Sequence, residues 1–259
     1  MDCKKYAVFI DIDGTLMSGG TIPEANIEAI ARVRRQGHKV FINTGRSLAC
    51  IPGFVLDRVE VDGIVAGIGS YVTLGGKVVH CVTIPDARLI RIAEHFMSTG
   101  RHCILEGIEK LYYINFKNSK DRTVIESGSD PAAVLTGARI SKATVAGIPS
   151  KADIELLEPD FNIFQHEGYF EFGLKGCSKA AGMMILLEKL DIRRECCIAI
   201  GDSSNDMDML RFAGISVAMK DAPEEVKAVC DLVTDSAENA GVAQALKELI
   251  INTSKGETL

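Results

Sequence analysis

Three short clusters in the sequence carry groups that could do chemistry together. They are Asp11-Ile12-Asp13-Gly14-Thr15, Thr44-Gly45-Arg46 and Gly201-Asp202-Ser203-Ser204-Asn205-Asp206. A fold that gathers them puts Asp11, Asp13, Asp202 and Asp206 in one crevice. Four carboxylates so placed repel one another strongly unless a cation compensates them. Hard oxygen donors, with no accompanying Cys or His cluster, point to Mg²⁺ rather than zinc. The Asp-x-Asp spacing offers one carboxylate for attack and another for proton transfer, and a carboxylate is a competent nucleophile toward phosphorus. Phosphoryl transfer rests mainly on positioning and on neutralising the equatorial oxygens. Mg²⁺, the hydroxyl of Thr44 and the ammonium of Lys179 would supply that neutralisation.

Each cluster needs a strand behind it. Tyr6 to Ile10 is an apolar run too short for a helix, which suits a buried parallel strand ending at Asp11. Lys39 to Asn43 runs into Thr44, and Cys196 to Ile200 runs into the Gly201 loop. Between the first two, Ile27, Ile30, Ala31 and Val33 recur at helical spacing, with Gly37 as the stop. Thr21 and Glu24 have the spacing of a capping box at its start, with Pro23 in the first turn. Ser178 is placed to cap a helix whose apolar face includes Met183, Leu186, Leu187 and Leu190. Further strands are expected at Ile215 to Met219 and Leu232 to Thr234, and a terminal helix at Val242 to Ile250. Strands alternating with helices imply a parallel sheet, and ligands bind beyond the carboxyl ends of such strands.

The middle of the chain reads differently. From about Lys77 to Lys175 there are short β-rich segments, such as Leu111 to Phe116 and Phe161 to Phe164. One clear helix lies near Asp86 to Met97. This pattern predicts a separate α/β domain, residues 81–176, inserted between two halves of a core made of residues 1–80 and 177–259.

Composition narrows the function. The 259 residues are 47% apolar and 25% charged, as in a soluble globular protein, and no run approaches a membrane span. No signal peptide is legible at the N-terminus, so a cytoplasmic protein is expected. A net charge of −6 gives no footprint for nucleic acid or an anionic membrane. The eight cysteines are scattered, with no C-x-x-C pair, and read as buried free thiols.

In their order, these motifs resemble those of the haloacid dehalogenase (HAD) superfamily: Asp11-Ile12-Asp13-Gly14-Thr15-Leu16, Thr44-Gly45-Arg46, Lys179, and Gly201 through Asp206. The run from Gly201 through Val217-Ala218-Met219, Ala222 and Gly241-Val242 is similar to the Cof-type phosphatase branch. The resemblance implies a Rossmann-like core with an inserted α/β cap. By it, Asp11 would attack phosphorus and also bind Mg²⁺. Asp13 would protonate the departing alcohol, then activate water, and its backbone carbonyl would be a further metal ligand. Thr44, Gly45 and Lys179 would hold the phosphoryl group. Asp202 would bind the metal, supported by Asn205 and Asp206, and Arg46 would orient substrate or loop. Only a short segment separates Leu16 from Thr21, so the cap belongs after the second motif, where it would exclude water and set substrate choice. Two positions depart from the branch: Gly67-Ile68-Gly69-Ser70 stands where Asn-Gly-Ala is frequent, and Ala180 where a glycine often follows the lysine.

Taken singly, the motifs have plainer readings. Asp11, Asp13 and Gly14 could make a polar turn, Thr44-Gly45 could merely end a strand, and Asn205 and Asp206 could cap the next helix. Lys179 could be a solvated helix residue. Lys117, Lys120 and Arg122 could meet a phosphate, or form a solvated basic patch. The ordered set favours a phosphatase acting on a small phosphorylated metabolite, a sugar phosphate among them. A phosphotransferase or mutase using the same intermediate, or a non-catalytic sensor of a phosphorylated ligand, are the alternatives.

Overall fold

The computed structural model describes residues 3–117, 122–126 and 128–252; Lys120 lies outside them. The chain first forms β1 (Ala7–Ile10), α1 (Glu24–Arg35), β2 (Lys39–Asn43), α2 (Gly53–Arg58), β3 (Gly63–Ala66), β4 (Tyr71–Leu74) and β5 (Lys77–Cys81). There follow α3 (Asp86–Thr99), β6 (Cys103–Gly107), β7 (Leu111–Ile114), β8 (Thr123–Ile125), α4 (Pro131–Leu135), β9 (Ile140–Ala146), α5 (Lys151–Leu157), β10 (Phe161–Gln165) and β11 (Tyr169–Leu174). The last stretch is α6 (Lys179–Leu190), β12 (Cys197–Gly201), α7 (Met207–Phe212), β13 (Ile215–Ala218), α8 (Glu224–Lys227), β14 (Leu232–Val233) and α9 (Gly241–Leu246), which runs on into a π-helical turn at Lys247–Ile251.

These elements divide into two units. One holds the described residues of Met1–Gly45, Pro52–His80 and Ser178–Leu259; the other holds Arg46–Ile51 and those of Cys81–Cys177. The first unit is built on an eight-stranded sheet in the order β14-β13-β12-β1-β2-β3-β4-β5. From β14 through β3 the pairs are parallel, and β3 and β4 form an antiparallel hairpin. Such strands are covered on both faces, so they read as unbroken apolar runs rather than alternating ones. Ala7, Phe9 and Phe41 face Met183, Leu186 and Leu187 of α6 and Met209 and Leu210 of α7. Phe9 and Phe41 stack with centroids 4.9 Å apart. Val8, Ile10, Val40 and Ile42 point to the other face, where α1 packs against α9 and against β2.

The order reverses at β1. The chain moves from β1 to β2 and β3 on one side, then returns to lay β12, β13 and β14 on the other. A crevice opens at such a switch point, beyond the carboxyl ends of the strands. The register aligns Ile10 with both Ile200 and Ile42, so Asp11 leaves the sheet level with Gly201 and Asn43, and Asp202 and Thr44 follow one residue later on the flanking strands.

The second unit is a six-stranded sheet in the order β10-β11-β9-β6-β7-β8, antiparallel except for β7 with β8. Leu89, Ile92, Ala93 and Phe96 of α3 join Leu105, Val145, Phe170 and Phe172 in its core. Arg122 lies over the rings of Tyr113 and Phe116, 5.0 and 5.9 Å from their centroids. No helix among the described residues is long and apolar enough to cross a membrane.

Two expectations are corrected. Thr21 does not cap α1: Pro23 is the residue before the first turn, and no side chain caps it. Instead Thr21 exchanges backbone hydrogen bonds with Ser18. The cysteines are not all free, because Cys3 and Cys196 form a disulfide across 193 residues. They precede β1 and β12, which are parallel neighbours, so the topology brings the two residues together. Among the described residues, Cys50, Cys81, Cys103, Cys177, Cys197 and Cys230 are free, but of these only Cys103 and Cys197 are buried, and Cys81 is exposed.

One ring at the amino ends of β1 and β2 carries a pH dependence. The Tyr6 N–H donates to Nδ1 of buried His38 at 3.0 Å. Burial, with help from Lys5, lowers the pKa of His38 below its ordinary 6.5. The unfolded chain therefore binds this proton first, so folding stability falls as pH drops below about 6.5. Melting temperature should decline from about pH 7.5 to about pH 5.5, and His38→Gln should flatten that slope. An unchanged slope in the variant would remove His38 as its source.

Candidate active site

The site grows out of three strand ends and one helix start. After β1 the chain turns back on itself: Leu16 N–H donates to the Asp11 carbonyl at 3.2 Å, and Met17 N–H to that of Ile12 at 2.9 Å. This holds the Asp11 side chain in place, where it is 5% exposed. Gly14 makes the turn possible twice over. Its φ is +76°, and a Cβ there would lie 2.4 Å from Asp202 Oδ2. Thr15, fully buried, donates from Oγ1 to Asp202 Oδ1 at 3.0 Å.

The loop after β12 is organised by Asp206. Its Oδ2 accepts from the backbone N–H groups of Asp202 and Ser203 at 3.0 and 3.1 Å. Its Oδ1 accepts from Lys179 Nζ at 2.5 Å. The lysine also donates to Asp11 Oδ1 at 2.7 Å and to Asn205 Oδ1 at 3.2 Å. Lys179 opens α6, and its side chain is 1% exposed. A buried ammonium at a helix N-terminus is disfavoured both by desolvation and by the helix dipole, so these carboxylates are what hold it there. Two caps fix the helix start: Ser178 Oγ accepts from Ala181 N–H at 3.1 Å, and Asp208 Oδ2 from Ala180 N–H at 3.0 Å.

Thr44 leaves β2 beside Asp11. It is buried, and its N–H donates to the Val65 carbonyl at 2.9 Å. Asn43 just before it donates from Nδ2 to the Lys179 carbonyl at 3.3 Å, joining the end of β2 to the start of α6.

Of the residues expected from the sequence, the structure brings together Asp11, Lys179, Asp202, Asn205 and Asp206, with Thr44 and Gly45 on the neighbouring strand end. Asp13 sits on the exposed side of the turn, near enough to Asp202 to act on it electrostatically. Arg46 groups with the second unit, where Nη1 donates to the Cys50 carbonyl at 2.9 Å. Three supporting residues were not singled out from the sequence: Thr15, Asn43 and Asp208. Thr15 lies inside the first motif without a role of its own and Asn43 stands directly before the second, which is the one signal that could have found them. Asp208 acts on a helix start 28 residues away.

Carboxylate oxygens of Asp11, Asp202 and Asp206 lie within 4.8 Å of one another. Two like charges about 4 Å apart repel by about 4 kcal/mol at an effective dielectric constant near 20. Burial raises the pKa of Asp11, and Asp206 and Asp202 push the same way while Lys179 pulls down. Asp202 is pushed up to about 6, first by burial and then by Asp206, against the hydrogen bond from Thr15. Burial acts to lower the pKa of Lys179, but Asp11 and Asp206 outweigh it and raise it. Three acids thus face one ammonium, and every donor in the group is a hard oxygen. That donor set and its surplus negative charge fit a hard divalent cation.

The chain's relatives agree with this geometry. Residues 8–246 match the family model for haloacid dehalogenase-like hydrolases. A 5-amino-6-(5-phospho-D-ribitylamino)uracil phosphatase of Bacillus subtilis, YitU, is 28% identical over 96% of this chain and 98% of its own. A phosphoglycolate phosphatase of Nitrosopumilus maritimus is 26% identical over 95% of this chain and 96% of its own. Among solved structures, the HAD subclass IIB sugar phosphatase BT4131 superposes with a TM-score of 0.78 at 28% identity, covering 94% of this chain and 98% of that one. The chain belongs to the haloacid dehalogenase-like hydrolases. Within them it is a Cof-type protein and an enzyme of the phosphatase type.

Gly14 tests how tightly the ring is built. Gly14→Ala should fold, since the position is exposed, at a cost of about 1–3 kcal/mol for a left-handed alanine. The methyl group must also displace the Asp202 carboxylate. Divalent-cation-dependent turnover should therefore fall by about a hundredfold or more. Wild-type turnover in this variant would show that the approach of Gly14 to Asp202 does not govern the site.

Proposed function

We propose that this chain is a Mg²⁺-dependent phosphatase that hydrolyses a small phosphorylated metabolite through an aspartyl-phosphate on Asp11. The observation that carries the reading is the buried Lys179 ammonium, bound at once to Asp11 and Asp206 where β1, β2 and β12 end. A lysine so held is a fixed positive charge beside a carboxylate nucleophile, which suits an incoming phosphoryl group.

In this reading the Asp11 carboxylate attacks phosphorus in line, and the bond from phosphorus to the ester oxygen breaks. Asp13, exposed at the turn, gives its proton to the departing alcohol oxygen. It then takes a proton from water as that water attacks the aspartyl-phosphate, which releases inorganic phosphate and restores Asp11. Thr44, Gly45 and Lys179 hold the phosphoryl oxygens. Asp11, Asp202 and the Asp13 carbonyl would hold Mg²⁺, with Asn205 and Asp206 supporting them; the ion would offset the crowded carboxylates and the charge on the phosphoryl group. Burial and neighbouring acids favour a protonated Asp11, so Lys179 and the ion share the task of keeping it ionised for attack.

The substrate is a phosphate monoester of small size. Relatives of this chain are named for leaving groups as different as a ribitylaminouracil and glycolate, and a sugar phosphatase is among its structural neighbours. A sugar phosphate is the reading we favour, and a cytoplasmic setting is part of the same proposal. Arg46 would serve loop or substrate orientation.

Asp11→Asn should reduce phosphate release from p-nitrophenyl phosphate to background while circular dichroism stays unchanged. Asp13→Asn should lower kcat by about 10²–10⁴-fold. EDTA should abolish turnover, and added Mg²⁺ should restore it. Turnover in Asp11→Asn above one hundredth of wild type would refute the nucleophile assignment.

A further inference from the structure

The hairpin between β3 and β4 turns through Gly67, Ile68 and Gly69, and all three have positive φ: +59°, +56° and +86°. Gly69 N–H donates to the Ala66 carbonyl at 3.1 Å and Ser70 N–H to the Gly67 carbonyl at 3.2 Å, so two left-handed turns overlap on Ile68. Such turns ask for Gly or Asn at their central positions. A β-branched residue there is an outlier, because its Cβ crowds the following carbonyl. Burial offers little return, since Ile68 is only half-buried between two buried glycines.

The surroundings of this turn are the phosphoryl-binding elements. Thr44 N–H is bonded to the carbonyl of Val65, two residues before the turn starts. Ile68 Cγ1 lies 4.0 Å from where a Cβ on Gly45 would stand. On the other side, Gly69 abuts the residue before Lys179 so closely that a Cβ on it would fall 2.0 Å from the Ser178 carbonyl oxygen. One four-residue loop therefore packs alongside Gly45 and abuts the start of α6.

We propose that Ile68 is a positioning residue for phosphoryl transfer, held in a disfavoured left-handed conformation so that its side chain braces the Thr44-Gly45 peptide. The brace matters because a group that neutralises a transferring phosphoryl must be fixed before the reaction. Backbone strain of this kind persists where the surroundings over-determine it, and functional sites are such places. The inference rests on Thr44-Gly45 being the phosphoryl-binding loop, as read above.

The test is the kinetics and melting of Ile68→Gly, Ile68→Asn and Ile68→Leu, beside Thr44→Ala. The probes are p-nitrophenyl phosphate with Mg²⁺ as substrate and inorganic phosphate as competitive inhibitor. Glycine and asparagine accept the left-handed turn, so both variants should melt about 2–4 °C above wild type. They should nevertheless lose about tenfold in kcat, and the inhibition constant for phosphate should rise by a similar factor. Ile68→Leu, which keeps the apolar bulk, should restore most of kcat. Adding Ile68→Gly to Thr44→Ala should cost little more, since the two act through one peptide. Wild-type kcat and phosphate inhibition in Ile68→Gly and Ile68→Asn, beside an impaired Thr44→Ala, would overturn the proposal. So would variants that lose stability along with activity, because Ile68 would then be filling space. Unchanged kinetics in Thr44→Ala would instead remove the phosphoryl-loop reading itself.

Discussion

One buried ammonium governs the catalytic half of this molecule. Lys179 has its charge in a place without water, and it is tolerable there only because Asp11, Asp206 and Asn205 surround it. Removing one partner from such a group leaves an uncompensated buried charge, which costs about 3–5 kcal/mol. The carboxylates in turn outnumber the lysine, so the group is satisfied with respect to the ammonium and overcharged as a whole. Burial first, and then that surplus, makes Asp11 reluctant to ionise, and the surplus suits a divalent ion.

The sheet makes this arrangement reachable. Asp11 and Lys179 are 168 residues apart in the chain. Reversal of strand order at β1 sets the ends of β12 and β2 on either side of Asp11, and α6 packs its apolar face on the same strands. Phe9 and Phe41 below and the acid ring above belong to the same strands. The packing that stabilises the core therefore also fixes the distances in the site. The same adjacency at the opposite ends of β1 and β12 brings Cys3 to Cys196.

The contrast between what was legible in the sequence and what was not has a physical basis. Parallel strands buried on both faces announce themselves as short apolar runs, and β1, β2, β12 and β13 lie within a residue or so of where those runs place them. Ser178 was legible as a cap because capping is a local interaction, written in neighbouring residues. Thr21 misled for the same reason: the spacing of a capping box was present, but Pro23 begins the helix too late for Thr21 to reach it. The long-range pairings were silent. Nothing local to Cys3 or Cys196 marks them as partners, and nothing local to Asp208 says that it caps α6. Asn43 looked like an ordinary strand residue and Thr15 carried no role of its own within its motif; only the folded site shows what their side chains hold.

The supporting residues also explain why so few charged groups can be held so accurately. Asp206 uses one oxygen on Lys179 and the other on two backbone N–H groups, so it fixes the lysine and its own loop together. Asp202 receives Thr15 and is backed by Gly14, where a Cβ would meet its carboxylate at 2.4 Å. Asp11 is tied to the turn through its carbonyl rather than through its carboxylate. Apart from the lysine at one oxygen, the carboxylate is therefore not committed to structural bonds of this kind. A residue meant only to stabilise the loop would be bonded as Asp206 is. The difference between the two aspartates, one spent on the scaffold and one held in reserve by it, supports the role proposed for Asp11.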